Sequence, residues 1–227
     1  MKNIVVLTGA GMSAESGIQT FRDSDGLWCN YRVEDVATHD AWLRNPKLVN
    51  DFYNERRKQL YEVSPNKAHY DLVKLEAKYN VNIVTQNIDD LHERAGSTNV
   101  LHLHGELKKV RSTADENLIY DLKGWELKIG DKCELGSQLR PHIVWFGEAV
   151  PNMEPAMRLA EAADILIVIG TSLQVYPAAS LLYYAKNEIP KYLVDPKANT
   201  SYPVPHLTII REKATVGVAE VVDKLLQ

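Results

Sequence analysis

The strongest constraint on the fold is an unbroken apolar run in the last third of the chain. Residues 164–170 spell Asp-Ile-Leu-Ile-Val-Ile-Gly, without the apolar–polar alternation of a strand that has one face in water. Such a run is typical of a strand covered on both faces, as in a parallel sheet between two helical layers. Further short apolar runs predict strands at residues 4–7, 81–85, 100–103, 142–145, 191–194 and 207–210.

Stretches of helix length lie between these runs. Residues 69–79, 154–163 and 216–226 place apolar side chains three or four positions apart, which is the spacing of one helix face. Strands that alternate with helices favour the α/β class. We therefore predict a Rossmann-like parallel sheet with helices on both faces.

Two segments interrupt the alternation. Residues 29–65 contain helical patterns but no strand-like run, and residues 107–139 are polar and punctuated by glycine. A structureless loop as long as the second segment is unusual inside a compact domain, so we interpret it as an inserted module. The resulting prediction is one domain over 1–227, with a Rossmann-like core of about 1–28, 66–106 and 140–227 and a small domain of 29–65 and 107–139.

The amino-acid composition excludes several kinds of partner and indicates the cellular compartment. Asp and Glu number 30 against 26 Lys and Arg, a net charge of −4, which gives no basic footprint for nucleic acid. No apolar run approaches the roughly 20 residues that span a bilayer, and the apolar stretch at the N-terminus is too short for a signal peptide. Two cysteines, Cys29 and Cys133, are too few for a disulfide scaffold. We expect a cytoplasmic protein with no membrane or nucleic-acid partner.

A glycine-rich turn follows the first predicted strand. Gly9, Gly11 and Ala14 satisfy the pattern G-x-G-x-x-A, in which the backbone approaches a pyrophosphate at a helix N-terminus. Ser13 is placed to cap that helix or to donate to a phosphate. Because two glycines after a strand can also form an ordinary tight turn, the position of the motif in the alternating pattern is what favours a dinucleotide.

The segment after the turn does not fit hydride transfer. An NAD-dependent dehydrogenase ends its second strand on an acidic residue that holds the adenine ribose. Residues 18–28 contain acidic side chains but no strand for them to terminate. A polar loop that carries Phe21, Arg22 and Trp28 is more typical of a lid over a bound ligand.

Four polar clusters follow predicted strands. Ligands of open α/β sheets bind beyond the carboxyl ends of the strands, so these loops are expected to converge there. The clusters are residues 85–92, 101–105, 141–148 and 170–173.

At this point the sequence resembles the sirtuins, the NAD-dependent protein lysine deacylases, over nearly the whole chain. Several specific motifs occur in the order of that family. They are Gly9-Ala10-Gly11-Met12-Ser13, Gly17-Ile18-Gln19-Thr20-Phe21-Arg22, Thr85-Gln86-Asn87-Ile88-Asp89, His104-Gly105, Arg140-Pro141-His142-Ile143-Val144-Trp145-Phe146-Gly147-Glu148, Gly170-Thr171-Ser172 and Lys213-Ala214.

The resemblance implies that the acyl oxygen of an acyl-lysine attacks the nicotinamide ribose, releasing nicotinamide and finally O-acyl-ADP-ribose. It implies that His104 is the base, with Asn87 and Asp89 also in the catalytic set. A histidine suits a base that works near neutral pH. The residues implied for NAD are Gly9, Ala10, Gly11, Ser13, Ala14, Thr20, Phe21, Arg22, Trp28, Gln86, Asn87, Ile88, Asp89, Gly170, Thr171, Ser172, Asp195 and Ala214.

The substrate side of the resemblance points to acidic acyl groups. Residues Val144, Trp145, Phe146, Gly147 and Glu148 resemble the segment that pairs with the substrate peptide and lines the lysine tunnel. In the helical module, the spacing of Tyr53 and Arg56 resembles that of class III sirtuins, which remove succinyl or malonyl groups, and Ala37 matches a small residue that admits a longer chain. Independently, a guanidinium can bind a carboxylate in bidentate fashion, and a phenol adds a donor.

Two positions depart from the family pattern. Sirtuins commonly hold a structural zinc ion with four cysteines in the inserted module, where this chain has only Cys133 and has Arg111-Ser112-Thr113-Ala114 in place of a first pair. We therefore predict no metal site, and a module held by apolar packing of Leu118, Ile119, Leu122, Trp125 and Leu127. The second departure is Asp195, where many members have asparagine beside the adenine ribose.

Three other functions stay open at the level of sequence. A mono-ADP-ribosyltransferase would share the cofactor loops, a non-catalytic NAD or ADP-ribose sensor would keep the glycine turn, and a Rossmann oxidoreductase would need the missing acidic strand end. The presence of His104, Asn87 and Asp89 and of the Tyr53/Arg56 pair favours a deacylase that acts on acylated proteins or peptides. We expect it to be a monomer.

Overall fold

A computed structural model describes residues 1–19, 27–171, 173, 175–200 and 203–227. It confirms the α/β class, and seven of its strands correspond to the predicted apolar runs. The strands are β1 (Asn3–Thr8), β2 (Leu27–Trp28), β3 (Tyr31–Arg32), β4 (Asn80–Thr85), β5 (Val100–His102), β6 (Gly105–Ser112), β7 (Ile119–Asp121), β8 (Leu139–Ile143), β9 (Ile165–Ile169), β10 (Lys191–Val194) and β11 (Leu207–Ile210).

Six of the strands form one parallel sheet in the order β11-β10-β9-β1-β4-β5. The chain builds the sheet outward from β1 in both directions, which is the doubly wound arrangement of Rossmann-like folds. The direction of winding reverses between β1 and β9. Ligands of such sheets bind at this switch point, beyond the carboxyl ends of the two strands.

Helices cover both faces of the sheet, so the side chains of a central strand alternate between two apolar cores. Ile4 and Val6 of β1 point to one core, while Val5 and Leu7 point to the other. This two-sided burial explains why the strands carry no polar alternation. The helices are α1 (Gly11–Ala14), α2 (Val33–Val36), α3 (His39–Arg44), α4 (Pro46–Glu62), α5 (Lys67–Lys74), α6 (Leu91–Ala95), α7 (Met153–Ala162), α8 (Leu181–Tyr184) and α9 (Ala214–Leu226).

The first core contains residues of α5 and α9, and the second contains residues of α7 and α8. Within the part of the chain that the structure describes, none of these helices has both the length and the apolar character needed to cross a bilayer.

The run predicted at residues 142–145 overlaps an observed strand only at residues 142 and 143, and that strand lies outside the parallel sheet, which corrects our assignment. The observed strand is β8, and it pairs antiparallel with β6 in a three-stranded sheet ordered β7-β6-β8. A parallel return would require a crossover, usually a helix. The segment between β6 and β8 holds β7 instead, so β8 runs back along β6.

Helices α2, α3 and α4 lie within residues 29–65, the segment that we interpret as a helical module. Asn45 caps α4 by accepting a hydrogen bond from the backbone N of Leu48 at 3.1 Å, and Pro46 occupies the first turn, where its missing N–H costs nothing. The buried face of α4 includes Phe52 and Tyr53, which belong to a third apolar core. Contrary to our expectation of no strand in this segment, its first residues include β3, which forms a short hairpin with β2 just before the module.

The inserted module is not held by the apolar packing that we predicted. Ile119 is 44% exposed and Trp125 is 41% exposed, Leu118 and Leu122 are only partly buried, and Leu127 alone of the five side chains is fully buried. The strand β7 is short and lies at the edge of a small sheet, so its side chains have no second layer to pack against.

Buried polar side chains of α4 anchor the insertion instead. Asn54 donates to the carbonyl of Leu127 at 3.0 Å and accepts from the backbone N of Leu127 at 2.9 Å. Arg57 has no exposed surface and donates to the carbonyls of Leu107 and Trp125 at 2.7 and 2.8 Å, and to the side-chain oxygen of Asn54. These bonds connect the insertion directly to α4.

We predict that Arg57→Met lowers the free energy of unfolding by about 3 kcal/mol, because two buried acceptors and one partly buried acceptor each lose a donor. Urea unfolding of the two proteins measures the difference. Arg158→Met, which changes an exposed arginine of α7, is the matched control and should be close to neutral. Equal stability of the Arg57 and Arg158 variants would mean that the insertion is held by other contacts.

Candidate active site

The turns after β1 and β9 contact each other through backbone atoms. Gly9 N donates to the carbonyl of Ile169 at 2.9 Å, and Gly11 N donates to the carbonyl of Gly170 at 2.8 Å. A Cβ at Gly11 would lie 2.7 Å from the Cα of Gly170. Glycine is therefore required here by the close approach of two backbones at the switch point. Ala14, the last position of the glycine pattern, is exposed and does not contribute to this packing.

Asn87 joins the loop after β4 to the glycine turn. Its side-chain amide donates to the carbonyl of Gly9 at 3.0 Å and to the hydroxyl of Ser13 at 3.2 Å. Its own backbone N donates to the hydroxyl of Thr85 at 3.0 Å. The structure thus brings together Gly9, Ser13 and Asn87, as the sequence predicted for one site.

Asp89 is buried beside the same hydroxyl. Burial raises the pKa of Asp89 to about 6, although hydrogen bonds from Leu91 N and Ser13 oppose the rise. The carboxyl is therefore mostly ionised at neutral pH but close to its titration point. A buried carboxylate of this kind can accept hydrogen bonds from the hydroxyl or amide groups of a ligand.

His104 has the properties of a general base. Its Nδ1 lies 3.0 Å from the carbonyl oxygen of Gln86. Because a carbonyl can only accept, Nδ1 carries the proton, and Nε2 keeps the lone pair that can take one. Burial lowers the pKa of His104 below its ordinary value, so the imidazole is neutral and ready to accept a proton at pH 7.

Other residues predicted for the cofactor lie at the same edge of the sheet. The Gln86 side chain donates to the Thr171 hydroxyl at 3.4 Å, which connects the loops after β4 and β9. Asp195 is buried after β10, where it accepts from Lys197 N at 2.8 Å, and Ala214 begins α9.

The remaining predicted cofactor residues are placed as follows. Ala10 is exposed in the glycine turn, and Ile88 is half-buried beside Asn87. Trp28 packs instead against the helical module, edge-on to Phe52 at 4.9 Å between ring centres. The predicted residues outside the described part of the chain are Thr20, Phe21, Arg22 and Ser172.

The segment after β8 connects the base to the helical module. Val144 N donates to the carbonyl of His104 at 2.9 Å, and Phe146 N donates to the carbonyl of Ala37 at 3.0 Å. The indole N–H of Trp145 donates to the Tyr53 hydroxyl at 3.0 Å. Phe146 and Gly147 are exposed at the end of this segment. The predicted substrate residues are therefore contiguous with the base.

Arg56 lies in the same module, and the described residues satisfy only part of the hydrogen-bonding capacity of its guanidinium. Its side chain is 18% exposed, it sits 5.3 Å from the ring centre of Phe52, and one nitrogen is 3.7 Å from Glu55. Among the described residues, Nε and Nη1 have no hydrogen-bond partner, although both are buried. A buried charge with free donors is costly unless a ligand completes its bonding.

Glu148 was predicted to contact substrate, but its carboxylate is occupied within the protein. Arg140 donates to both of its oxygens, at 2.7 and 3.1 Å, and Arg111 donates at 3.2 Å. The backbone N of Trp145 donates to it at 2.9 Å. Burial alone would oppose ionisation, but these bonds hold the pKa of Glu148 below its usual value. The carboxylate therefore fixes the turn that carries Trp145.

The sequence prediction missed Arg140 and Arg111 as parts of this site. Arg140 also lies over the Trp145 ring, with Cζ 3.3 Å from the ring centre. One signal was available, because two opposite charges, Arg140 and Glu148, flank a mostly apolar segment. Nothing in the local pattern indicated Arg111, which reaches the cluster from β6.

Two neutral histidines are buried beneath the glycine turn. His69 and His92 contact each other with ring centres 4.9 Å apart, and His92 Nε2 lies 3.1 Å from the Thr8 hydroxyl. Burial lowers the pKa of His69 to about 4 and lowers that of His92 well below its usual value. Since an unfolded chain binds protons on histidine near pH 6.5, acid favours unfolding here.

We predict that His69→Gln weakens the dependence of stability on pH between 6.5 and 4. Glutamine keeps the bond with which His69 accepts from Asn66 N but cannot be protonated. The wild type should lose about 1.5 kcal/mol more than the variant between pH 6.5 and pH 5, as the unfolded state takes up the proton that folded His69 refuses. Urea titrations at pH 7, 6 and 5 measure this, and parallel pH dependences would contradict it.

Comparisons with known proteins show which family the chain belongs to. The Sir2 family profile matches residues 9–177. The chain belongs to the Sir2 family. The same family was expected from the sequence motifs, and this assignment is now confirmed.

Relatives of this Sir2 protein are similar over its whole length. A protein of Helicobacter pylori named NAD-dependent protein deacylase is 54% identical over 229 residues, covering 100% of this chain and 99% of the relative. A Bacteroides thetaiotaomicron protein of the same name is also 54% identical, with the same coverage of both chains. Among solved structures, a Sir2 homologue in complex with NAD matches with a TM-score of 0.89 and 42% identity, covering 99% of this chain and 90% of that one.

A family-type zinc site does not fit this Sir2 protein. Four thiolates would be needed, whereas Cys133 is the only cysteine of the insertion, and its thiol donates to the Ser112 hydroxyl at 3.2 Å. The other cysteine, Cys29, is buried in the helical module. A hydroxyl and a single thiol do not make up a tetrahedral zinc site, so no structural or catalytic role is assigned to that ion.

NAD, in contrast, fits the residues present. Backbone groups of the glycine turn lie at the sheet's switch point, and a Cβ at Gly9 would come within 2.8 Å of the Gly170 carbonyl, so the cradle has no room for a side chain. The buried carboxyl of Asp89 and the neutral imidazole of His104 lie on neighbouring loops of the same edge. These groups can bind a pyrophosphate and ribose hydroxyls.

Proposed function

We propose that this Sir2 protein is an NAD-dependent protein lysine deacylase that releases nicotinamide, O-acyl-ADP-ribose and the free lysine. The observation that carries the proposal is the neutral His104 imidazole, fixed by the Gln86 carbonyl and joined through its backbone to Val144. The names of its relatives in Helicobacter and Bacteroides support the same activity.

The residues take separate roles in this reaction. NAD supplies the ribose that receives the acyl group and the nicotinamide that departs. The turn of Gly9 and Gly11 binds the pyrophosphate through backbone N–H groups. Asn87 and Asp89 hold the nicotinamide-ribose end, and His104 takes the proton of a ribose hydroxyl at Nε2.

The peptide binds along the exposed Phe146–Gly147 turn through backbone hydrogen bonds. Main-chain pairing recognises an extended peptide with little dependence on its sequence, so many acylated proteins or peptides are suitable substrates. The Glu148 carboxylate keeps this turn in place through Arg140 and Arg111. In this proposal Trp145 and Tyr53, which are buried against each other, form the wall of the acyl-lysine path.

Acidic acyl groups, succinyl and malonyl, are proposed as substrates alongside acetyl. The free donors of Arg56 provide the positive charge that a terminal carboxylate needs. Burial raises the pKa of Tyr53, so its phenol stays protonated and can donate while it accepts from Trp145. Ala37 leaves room for the longer chain.

We further infer a monomeric enzyme of the cytoplasm that has no membrane or nucleic-acid partner. Cys29 and Cys133 are both free thiols, which is typical of proteins in a reducing compartment. The net charge of −4 offers little attraction to nucleic acid.

The test supplies NAD with acetyl-, succinyl- and malonyl-lysine peptides and measures nicotinamide and deacylated peptide together. We expect one nicotinamide for each lysine freed and no reaction without NAD. Radiolabel transferred from NAD to protein would indicate a mono-ADP-ribosyltransferase. Binding of NAD without turnover on any peptide would indicate a sensor, and either result would refute the proposal.

A further inference from the structure

The loop that carries Asn87 and Asp89 is held by its backbone carbonyls. The carbonyl of Gln86 accepts from His104, and that of Ile88 accepts from Leu107 N at 2.8 Å. Between them, the carbonyl of Asn87 lies 3.0 Å from Nδ1 of His102. A second histidine, two residues before the proposed base, therefore contacts the loop that binds the cofactor in the proposed function.

His102 differs from His104 in the partner of its second nitrogen. Nε2 of His102 lies 2.7 Å from a carboxylate oxygen of Glu93, and the residue is 8% exposed. A carbonyl and a carboxylate can only accept, so both ring nitrogens must donate. The imidazolium is the one form of His102 that satisfies both bonds, whereas His104 is neutral. Two neighbouring histidines thus have different protonation states.

We propose that His102 and Glu93 form a positioning ion pair, which holds the Asn87 carbonyl and thereby fixes the Asn87–Asp89 segment against the glycine turn. This inference rests on the proposed deacylase function. His102 is a positioning residue, since it acts through Asn87 and Asp89. Asn152, the residue before α7, supports it with a side chain that donates to the His102 carbonyl at 2.7 Å.

The charges around His102 agree with this role. Glu93 faces it from α6, Glu106 from β6 and Asp89 from the loop, and the neutral His92 of α6 is also close enough to interact with it. Burial opposes protonation, but Glu93 outweighs it and raises the pKa of His102. In return, the charge on His102 lowers the pKa of Asp89. Loss of that charge should therefore raise the pKa of Asp89 above about 6.

Three variants separate positioning from simple packing. In His102→Asn, the amide can replace Nδ1 as donor to Asn87, but the charge is lost. His102→Phe fills the space and loses both bonds. Glu93→Gln keeps a hydrogen-bonding partner and removes the counter-charge. Glu161→Gln, an exposed change on α7, is the matched control for the loss of a carboxylate.

We expect His102→Phe to lower kcat/KM for NAD by roughly ten- to a hundredfold, as is usual when a group that orients a site residue is lost. His102→Asn should recover most of this loss. Both His102→Asn and Glu93→Gln should shift the acid limb of the pH profile of kcat/KM to higher pH, and Glu161→Gln should leave it in place. If His102 only filled space, phenylalanine would be the better replacement and the acid limb would not move.

A spectroscopic readout does not depend on turnover. Nitrogen NMR of the imidazole rings at pH 7.5 should show two protonated ring nitrogens for His102 and one for His104. A neutral His102 would overturn the ion pair even if the enzyme is active. Perturbation of the His102 signals by added Zn²⁺ at stoichiometric concentration would also overturn it, because the side-chain atoms of Glu93, His102 and Glu106 lie within 4.8 Å of one another and would then be metal ligands.

The two proposals can fail separately. Wild-type protein that releases no nicotinamide with any acyl peptide refutes the deacylase function, while NMR still decides the state of His102. An active wild type with equal kcat/KM for NAD in all three variants and the control refutes the positioning role alone.

Discussion

His104→Asn should lower kcat for deacylation by at least about a hundredfold, the usual contribution of a positioned general base. Asparagine can still donate to the Gln86 carbonyl in place of Nδ1, so the loop should keep its conformation. The variant has no counterpart of Nε2 and cannot take a proton from the ribose. Steady-state release of nicotinamide and free lysine measures the loss.

The affinity for NAD provides the control measurement. It should change less than about threefold by calorimetry, because the glycine turn and Asn87 are untouched. His206→Asn is the matched variant, since His206 is exposed and its φ of +54° is one that asparagine tolerates. Full activity of His104→Asn would remove the imidazole from the reaction.

Arg56→Met should discriminate between acyl groups. Methionine has a similar length but no charge, so a succinyl carboxylate would be buried without a partner. The expected cost is about 3 kcal/mol, or roughly a hundredfold in kcat/KM for succinyl-lysine peptides. Activity on acetyl-lysine peptides should fall less than about threefold, because an acetyl group makes no ion pair.

Kinetics on paired acetyl and succinyl peptides of one sequence measure this ratio. Arg44→Met changes an exposed arginine of the same helical module and should affect neither substrate. Arg56 forms no internal hydrogen bond through Nε or Nη1 within the described chain, so its loss should not unfold the module. An equal fall on both peptides would place Arg56 outside the acyl pocket.

The parallel sheet could be predicted because its signal is local. Each central strand is apolar on both faces, and the residues of β9 alternate between two cores without a polar position. The run predicted at residues 142–145 has a similar apolar signal, but the observed strand β8 begins at Leu139, includes Arg140 and Pro141, and belongs to another sheet. Its pairing depends on β6, far along the chain from it, and no local pattern reports which strand will be its neighbour.

The loops of the site were predictable for the same reason, and their contacts were not. Gly9, Asn87 and His104 follow predicted strands, and the carboxyl ends of parallel strands meet at one edge. Arg111 hydrogen-bonds the Glu148 carboxylate and so keeps it within the protein. Asn54 and Arg57 of α4 anchor the insertion through their hydrogen bonds. Such contacts join residues separated by tens of positions, so only the folded chain reveals them.

The most direct test of the central claim is the crystal structure of the protein soaked with ADP-ribose. We predict that Nε2 of His104 lies about 3 Å from a hydroxyl of the ribose that nicotinamide leaves, with Nδ1 still bonded to the Gln86 carbonyl. An ADP-ribose bound on the glycine turn with its ribose out of reach of His104 would contradict the assignment of the base, and with it the proposed chemistry.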